Sequence, residues 1–133
     1  MHTSTRANNP GRSGTRAVGS LGEEIAARFL RAKGYKITGR NVKTYLGEID
    51  IVAERRGTII FIEVKTRRSD GFGPPYNLIT RKKKKKLIQC TFSYFGLKGT
   101  KDKPRQIDII SVELDNASGN VKQIEHFENA IEE

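Results

Sequence analysis

The sequence predicts a three-layer α/β domain, a central mixed β-sheet of four to five strands flanked by helices, in the order α-β-β-β-α-β-β. Three observations carry this reading. Residues 46–67 hold two β-branched apolar runs on either side of a short polar stretch containing Gly57, the pattern of a β-hairpin. Two segments, starting at Ser20 and Thr80, repeat apolar residues at helical spacing. Two further β-rich runs, Ile107–Leu114 and Val121–Phe127, follow the second helix with a polar turn between them.

Composition bounds the rest. The 133 residues suffice for one domain with a core, and the net charge of +10 favours a polyanionic partner. No apolar stretch reaches the roughly 18 residues of a membrane span, and no signal-peptide core precedes the domain. Cys90 is the single cysteine, which excludes an internal disulfide and suits a reducing cytoplasm. One Cys and two His make a zinc site of the usual type a poor expectation. The domain is expected over 20–127, between a basic flexible tail (1–19) and an acidic C-terminal end (128–133).

Taken in order, Ser20 is expected to cap a helix running to about Lys33, with Glu23 completing a capping box and Gly34 ending it. Leu21, Ile25, Phe29 and Ala32 form its expected apolar stripe. Glu23 shares a side with Ala26, Ala27 and Leu30, so it flanks the core and can reach the sheet. Glu24 shares a side with Arg28 and Arg31 and is expected to face water. The alternative for Glu23 is a first-turn carboxylate serving cap and dipole. Tyr35–Arg40 reads as a strand and Asn41–Leu46 as a turn. Arg68–Tyr76, rich in Gly and Pro, reads as a loop placed to border a substrate groove. The second helix, Thr80 to about Phe95, opens with consecutive cations from Arg81 to Lys86. Its buried face is expected to hold Leu87, Ile88, Thr91, Phe92 and Phe95. Extended backwards, that face reaches Lys83 and Lys84, leaving Lys82, Lys85 and Lys86 outward. Cations at a helix N-terminus oppose the macrodipole, so polyanion contact is one reason for them and a solubilising face the other. Asp108 reads as structural, paired with Arg105 or Lys65; His126 has no evident partner.

The hairpin carries charge where a strand apolar on both faces should not. Asp50 sits between Ile49 and Ile51, and Glu63 and Lys65 close the run Ile59–Val64. Alternation places Glu63 and Lys65 on one face, and Glu48 and Asp50 together on the partner strand. A hairpin closing symmetrically on Arg56-Gly57 pairs Asp50 with Glu63, with Cβ atoms roughly 4.5–5.5 Å apart. Two carboxylates so close repel and make a site for a hard cation, which takes one or two carboxylates plus substrate phosphate. Lys65 would stand beside the ion, able to orient a water or stabilise charge on a phosphate. The alternative is an ion-pair lattice at a sheet end.

These residues carry a resemblance. Gly22-Glu23, Lys33-Gly34-Tyr35, Arg40-Asn41, Gly47-Glu48-Ile49-Asp50, Glu63-Val64-Lys65-Thr66-Arg67, Phe72-Gly73-x-Pro75, and Lys83 with Tyr94-Phe95 agree in order and spacing with one family. From about Gly19 to Val112 the chain resembles the YraN-type family of small bacterial proteins proposed as endonucleases. That family is similar to archaeal Holliday junction resolvases and to the restriction-endonuclease-like fold with its PD-(D/E)xK signature. Ile49 stands where that signature has Pro, a residue that shapes the backbone and donates no ligand. The resemblance implies a metal-dependent endonuclease acting on DNA, branched or junction DNA included. Asp50, Glu63 and the Val64 carbonyl would bind Mg²⁺ or Mn²⁺, and Glu23 would hold it directly or through water. Lys65 would position water or the oxyanion. Arg67, Arg68, Arg81, Lys82, Lys83, Lys84, Lys85 and Lys86 would bind flanking phosphates. By analogy with resolvases a homodimer is expected. The competing readings are a noncatalytic nucleic-acid-binding module that keeps the fold, and a basic partner in a larger DNA-processing or secretion-linked assembly.

Overall fold

The computed structural model describes residues 10–68, 79–98 and 103–131. Most of the expected N-terminal tail (1–9), the groove-bordering loop beyond Arg68, residues 99–102 and residues 132–133 lie outside these. The elements run α1 (Pro10–Ala32), β1 (Lys36–Thr44), β2 (Gly47–Arg55), β3 (Thr58–Arg68), α2 (Arg81–Lys98), β4 (Arg105–Leu114) and β5 (Val121–Ile131). The five strands form one sheet in sequence order. Neighbours are antiparallel except β3 and β4, which are parallel and joined by α2 as their crossover. The expected order α-β-β-β-α-β-β and mixed sheet are therefore present.

β3 is the middle strand, and Ile59 to Val64 are all buried. Its alternating side chains feed two cores. Ile60, Ile62 and Val64 join Ala26, Ala27 and Leu30 of α1, while Ile59 and Phe61 join Leu87, Cys90 and Phe95 of α2. Each such burial is worth about 1.5–3 kcal/mol for a large aliphatic or Phe side chain, so β3 anchors both layers.

Several boundaries depart from expectation. α1 begins at Pro10, ten residues before Ser20, so Ser20 caps nothing; Pro suits a first helical turn, where its missing N–H is unneeded. Its buried stripe is Ala26, Ala27 and Leu30; Leu21 is 45% exposed and Ala32 is exposed, because the small alanines allow the closest approach to the sheet. Gly34 does end the helix, at φ 92°, with the Tyr35 amide returning to the Leu30 carbonyl (3.0 Å). β1 continues through Asn41 to Thr44, with Asn41 at φ 50° inside the strand; Asn tolerates that conformation, which is why it reads as a turn. In α2, Thr80 is the cap, its Oγ1 accepting from the Lys83 amide (3.1 Å). Phe92, expected inside, is 55% exposed under the Arg105 guanidinium, and Cys90 takes the buried place. β5 runs past Phe127 to the buried Ile131, which pairs with Ile107, so the presumed acidic end is strand as far as that residue. Among the described residues no helix is long and apolar enough to cross a membrane.

Candidate active site

The site begins with a turn. Arg56 (φ 53°) and Gly57 (φ 79°) both adopt left-handed conformations, the requirement of a two-residue hairpin whose twist matches its strands. That turn fixes the register Arg55↔Thr58 through Ile51↔Ile62. The next pair in this register is Asp50 and Glu63, as symmetric closure predicts. There the regular pairing stops. The Val64 amide donates to Asp50 Oδ2 at 2.9 Å. Side-chain alternation in β2 also breaks: Ile49 packs with the α2-side core, whereas Ile51 and Ala53 pack with the α1-side core. The β2 backbone thus rotates at Asp50, and a carboxylate side chain serves the β3 backbone.

The two carboxyl groups strain each other electrostatically. Asp50 is pushed up from 3.8 to about 7, first by burial, then by the charge of Glu63 and a side-chain hydrogen bond between the two acids. The Val64 amide pulls in the opposite direction, and Glu23 adds further repulsion. Asp50 thus keeps its proton to a much higher pH than an ordinary carboxyl. Glu63, only 4% exposed, is flanked by two ammonium groups: Lys65 Nζ lies 3.4 Å and Lys83 Nζ 3.7 Å from its Oε2. Lys65 is its neighbour on the same strand face, and Lys83 descends from the first turn of α2. The pairing of Lys83 is the feature that sequence reasoning missed. Its inward direction follows from extending the α2 face back from Leu87, but its partner depends on where the crossover sets the helix.

Glu23 stands beside this pair without joining it. Its Oε1 accepts from Asn41 Nδ2 (2.9 Å), and the same amide lies 3.4 Å from Glu48 Oε1. Glu48 is thereby drawn toward Glu23 rather than sharing the Asp50 position. Gly22 sets this placement: a Cβ there would lie 1.8 Å from Thr66 Oγ1, so only glycine lets α1 ride so close on β3. Glu24 points elsewhere, to Arg40 (2.7 Å) and Arg28 (3.1 Å), and these hydrogen bonds hold its carboxyl below the usual range.

The basic residues divide into two groups. Arg68, Arg81, Lys82, Lys84, Lys85 and Lys86 are exposed. Lys83 is turned onto Glu63 instead of outward. Arg67 is largely buried; its Nη2 lies 3.7 Å from Glu113, while Nε and Nη1 are buried with no hydrogen-bond partner among the described residues. Unsatisfied guanidinium nitrogens are expensive, and an anion is their natural complement.

Asp108 lies on the other face of the sheet and is fully buried. His126 Nε2 is 2.7 Å from its Oδ2, and the Asn129 amide (2.8 Å) and Gln106 Nε2 (2.9 Å) donate to Oδ1. Lys33 Nζ is 2.7 Å from His126 Nδ1. His126 is thus partnered after all, because β5 sets it across from Ile110, beside Asp108. Lys65, one expected partner of Asp108, is committed to Glu63.

As a cation site, the donor set in hand is a pair of carboxylates, Asp50 and Glu63. Among the described residues no three His, Cys, Asp or Glu side chains converge into a complete cage. A pair suffices for Mg²⁺, which keeps several waters, and a divalent ion would offset both the burial and the Glu63 charge that push Asp50 up.

Fold and site together define a three-layer α/β protein with paired acids on its two central hairpin strands and two lysines against them. The family described as uncharacterised protein family UPF0102 matches residues 22–112, and the chain belongs to it. It is 40% identical over 99 residues to a UPF0102 protein of Symbiobacterium thermophilum, covering 74% of this chain and 84% of that one. It is 38% identical over 116 residues to one of Caldanaerobacter subterraneus, covering 87% and 95%. A UPF0102 protein of Pelotomaculum thermopropionicum is 39% identical over 114 residues, covering 86% and 94%.

Proposed function

We propose that the protein is a metal-dependent endonuclease that hydrolyses phosphodiester bonds in DNA, branched or junction DNA among its candidate substrates. The observation that carries this reading is the Asp50–Glu63 pair: two acids forced together on the central strands, one pushed up to about 7, with Lys65 beside them. A purely structural lattice gains nothing from that repulsion. The likeness to PD-(D/E)xK nucleases accounts for the same three residues. Asp50, Glu63 and the Val64 carbonyl would hold Mg²⁺ or Mn²⁺, which supplies Lewis acidity and a water of lowered pKa when bound. The chain's own contributions are otherwise electrostatic. Lys65 orients the attacking water or neutralises charge on the phosphate oxygens. Asn41 restrains Glu23 at the margin of the site. Arg67 offers a neighbouring phosphate two nitrogens that no acceptor among the described residues takes, and the exposed cations of α2 extend that binding along the backbone.

A second reading, a nucleic-acid-binding module that does not cut, draws on one observation: Lys65 and Lys83 together neutralise Glu63 and compete with a metal for it. Calorimetry with Mn²⁺ and Mg²⁺ separates the two. The nuclease reading expects binding that is lost in Asp50→Asn; no binding to the wild-type protein leaves the noncatalytic module.

A further inference from the structure

The tip of the β1–β2 hairpin presents an exposed aromatic residue to a basic groove. Tyr45 is 88% and Leu46 47% exposed. With Lys82, Lys85, Lys86 and Gln89 of α2 they line a groove of about 550 Å³. The turn is not loosely hung. Thr44 Oγ1 donates to the Gly47 carbonyl (2.8 Å) and accepts from the Leu46 amide (3.2 Å), and the Tyr45 amide donates to Ser93 Oγ on α2 (3.3 Å). Gly47, at φ 149°, lies so close to α2 that a Cβ would be 3.1 Å from Cys90 Sγ and 3.3 Å from Lys86 Cε. A ring held in water by an ordered turn, flanked by three ammonium groups, has the composition of a stacking platform for an unpaired base whose phosphates follow the lysines. Paired bases hide their faces within the duplex and cannot use such a ring.

We infer that Tyr45, with Lys82, Lys85 and Lys86, binds an unpaired nucleotide strand next to the paired acids. This rests on the proposed action on nucleic acid and adds a preference for substrates with a single-stranded segment. The same strand that carries Asp50 begins at this turn, so the groove and the acids belong to one rigid unit.

The test is fluorescence anisotropy in EDTA with labelled 20-nucleotide single-stranded DNA, the same length of RNA, a 20-bp duplex, and that duplex with a single-stranded overhang. Tyr45→Ala should weaken the single-stranded and overhang probes by about 5- to 100-fold, the worth of one stacked base. Tyr45→Phe should bind as wild type, and duplex affinity should change less than twofold. The relative loss on the DNA and RNA probes identifies which strand the platform takes. Equal affinities for wild type and Tyr45→Ala on every probe, or equal losses on duplex and single strand, overturn the inference while leaving the nuclease reading intact. A wild-type protein that binds none of the probes also overturns the inference, and the nuclease reading is then decided separately by cleavage in the presence of metal.

Discussion

Asp50→Asn should make the metal-free protein more stable at neutral and alkaline pH. In the folded chain the Asp50 carboxyl titrates near 7, against an ordinary 3.8, because it is buried and faces Glu63. The sign follows from linkage. Below about pH 4 both folded and unfolded chains hold the proton, and the site carries no penalty. Between 4 and 7 the unfolded chain has released it while the folded chain retains it, so stability falls as pH rises. Above 7 the loss is complete. A shift of this size corresponds to about 4 kcal/mol at 1.36 kcal/mol per pH unit. Asparagine keeps an oxygen to accept from the Val64 amide and gains an N–H to offer Glu63, so it removes the repulsion and preserves the contact. Urea unfolding followed by circular dichroism at pH 4.5 and 8.5 measures the difference. The expectation is a gain of about 1 kcal/mol for Asp50→Asn at pH 4.5, where the unfolded carboxyl has already released most of its proton, rising to about 2–4 kcal/mol at pH 8.5, allowing for relaxation around the site. With 10 mM Mg²⁺ added, the wild type should recover part of that gap and the variant should not respond. An Asp50→Asn protein that is less stable than wild type at pH 8.5, or that shows the same pH slope, refutes the reasoning.

Further perturbations probe the parts around this pair. Gly22→Ala should destabilise the fold by about 1–3 kcal/mol in thermal denaturation through overpacking on Thr66, and Thr66→Ala in the same chain should recover only part of the loss, since the residue 66 Cβ still lies 2.8 Å from the added methyl. His126→Ala takes from the buried Asp108 its nearest partner and should cost about 3 kcal/mol in urea unfolding, whereas nuclease and metal assays, reporting on the other sheet face, should show intact behaviour below the transition. Lys83→Met removes one of the two cations on Glu63 and should tighten Mn²⁺ binding severalfold by calorimetry; unchanged or weaker binding would mean that Lys83 does not contend for the metal site.

The hairpin was readable because every level agreed: period-2 apolar runs, a Gly at the turn, and a two-residue closure that by arithmetic sets Asp50 against Glu63. Thr80 and Gly34 were readable for the same reason, as local capping chemistry. What the sequence hid depends on contacts between distant segments. The Lys83–Glu63 pair needs the crossover geometry of α2 over β3, and the Lys33–His126–Asp108 chain joins the end of α1 to β4 and β5. Asn41 misled because its left-handed conformation serves a strand irregularity as well as a turn. The helical extent before Ser20 misled because its polar, Gly- and Arg-bearing composition shows no core-facing stripe. The rotation of β2 at Asp50 has no signature in the apolar pattern, since Ile49 and Ile51 look alike and pack on opposite faces.

The most direct measurement is cleavage of a labelled panel at low salt, comprising a four-way junction, a flap, linear duplex, single-stranded DNA and RNA. Each substrate is incubated with Mn²⁺, Mg²⁺ or EDTA, and with wild type or Lys65→Ala. The account predicts products from wild type with metal, none with EDTA, and none from Lys65→Ala although it remains folded. Tight binding with no products in any metal, identical in the two proteins, would contradict it.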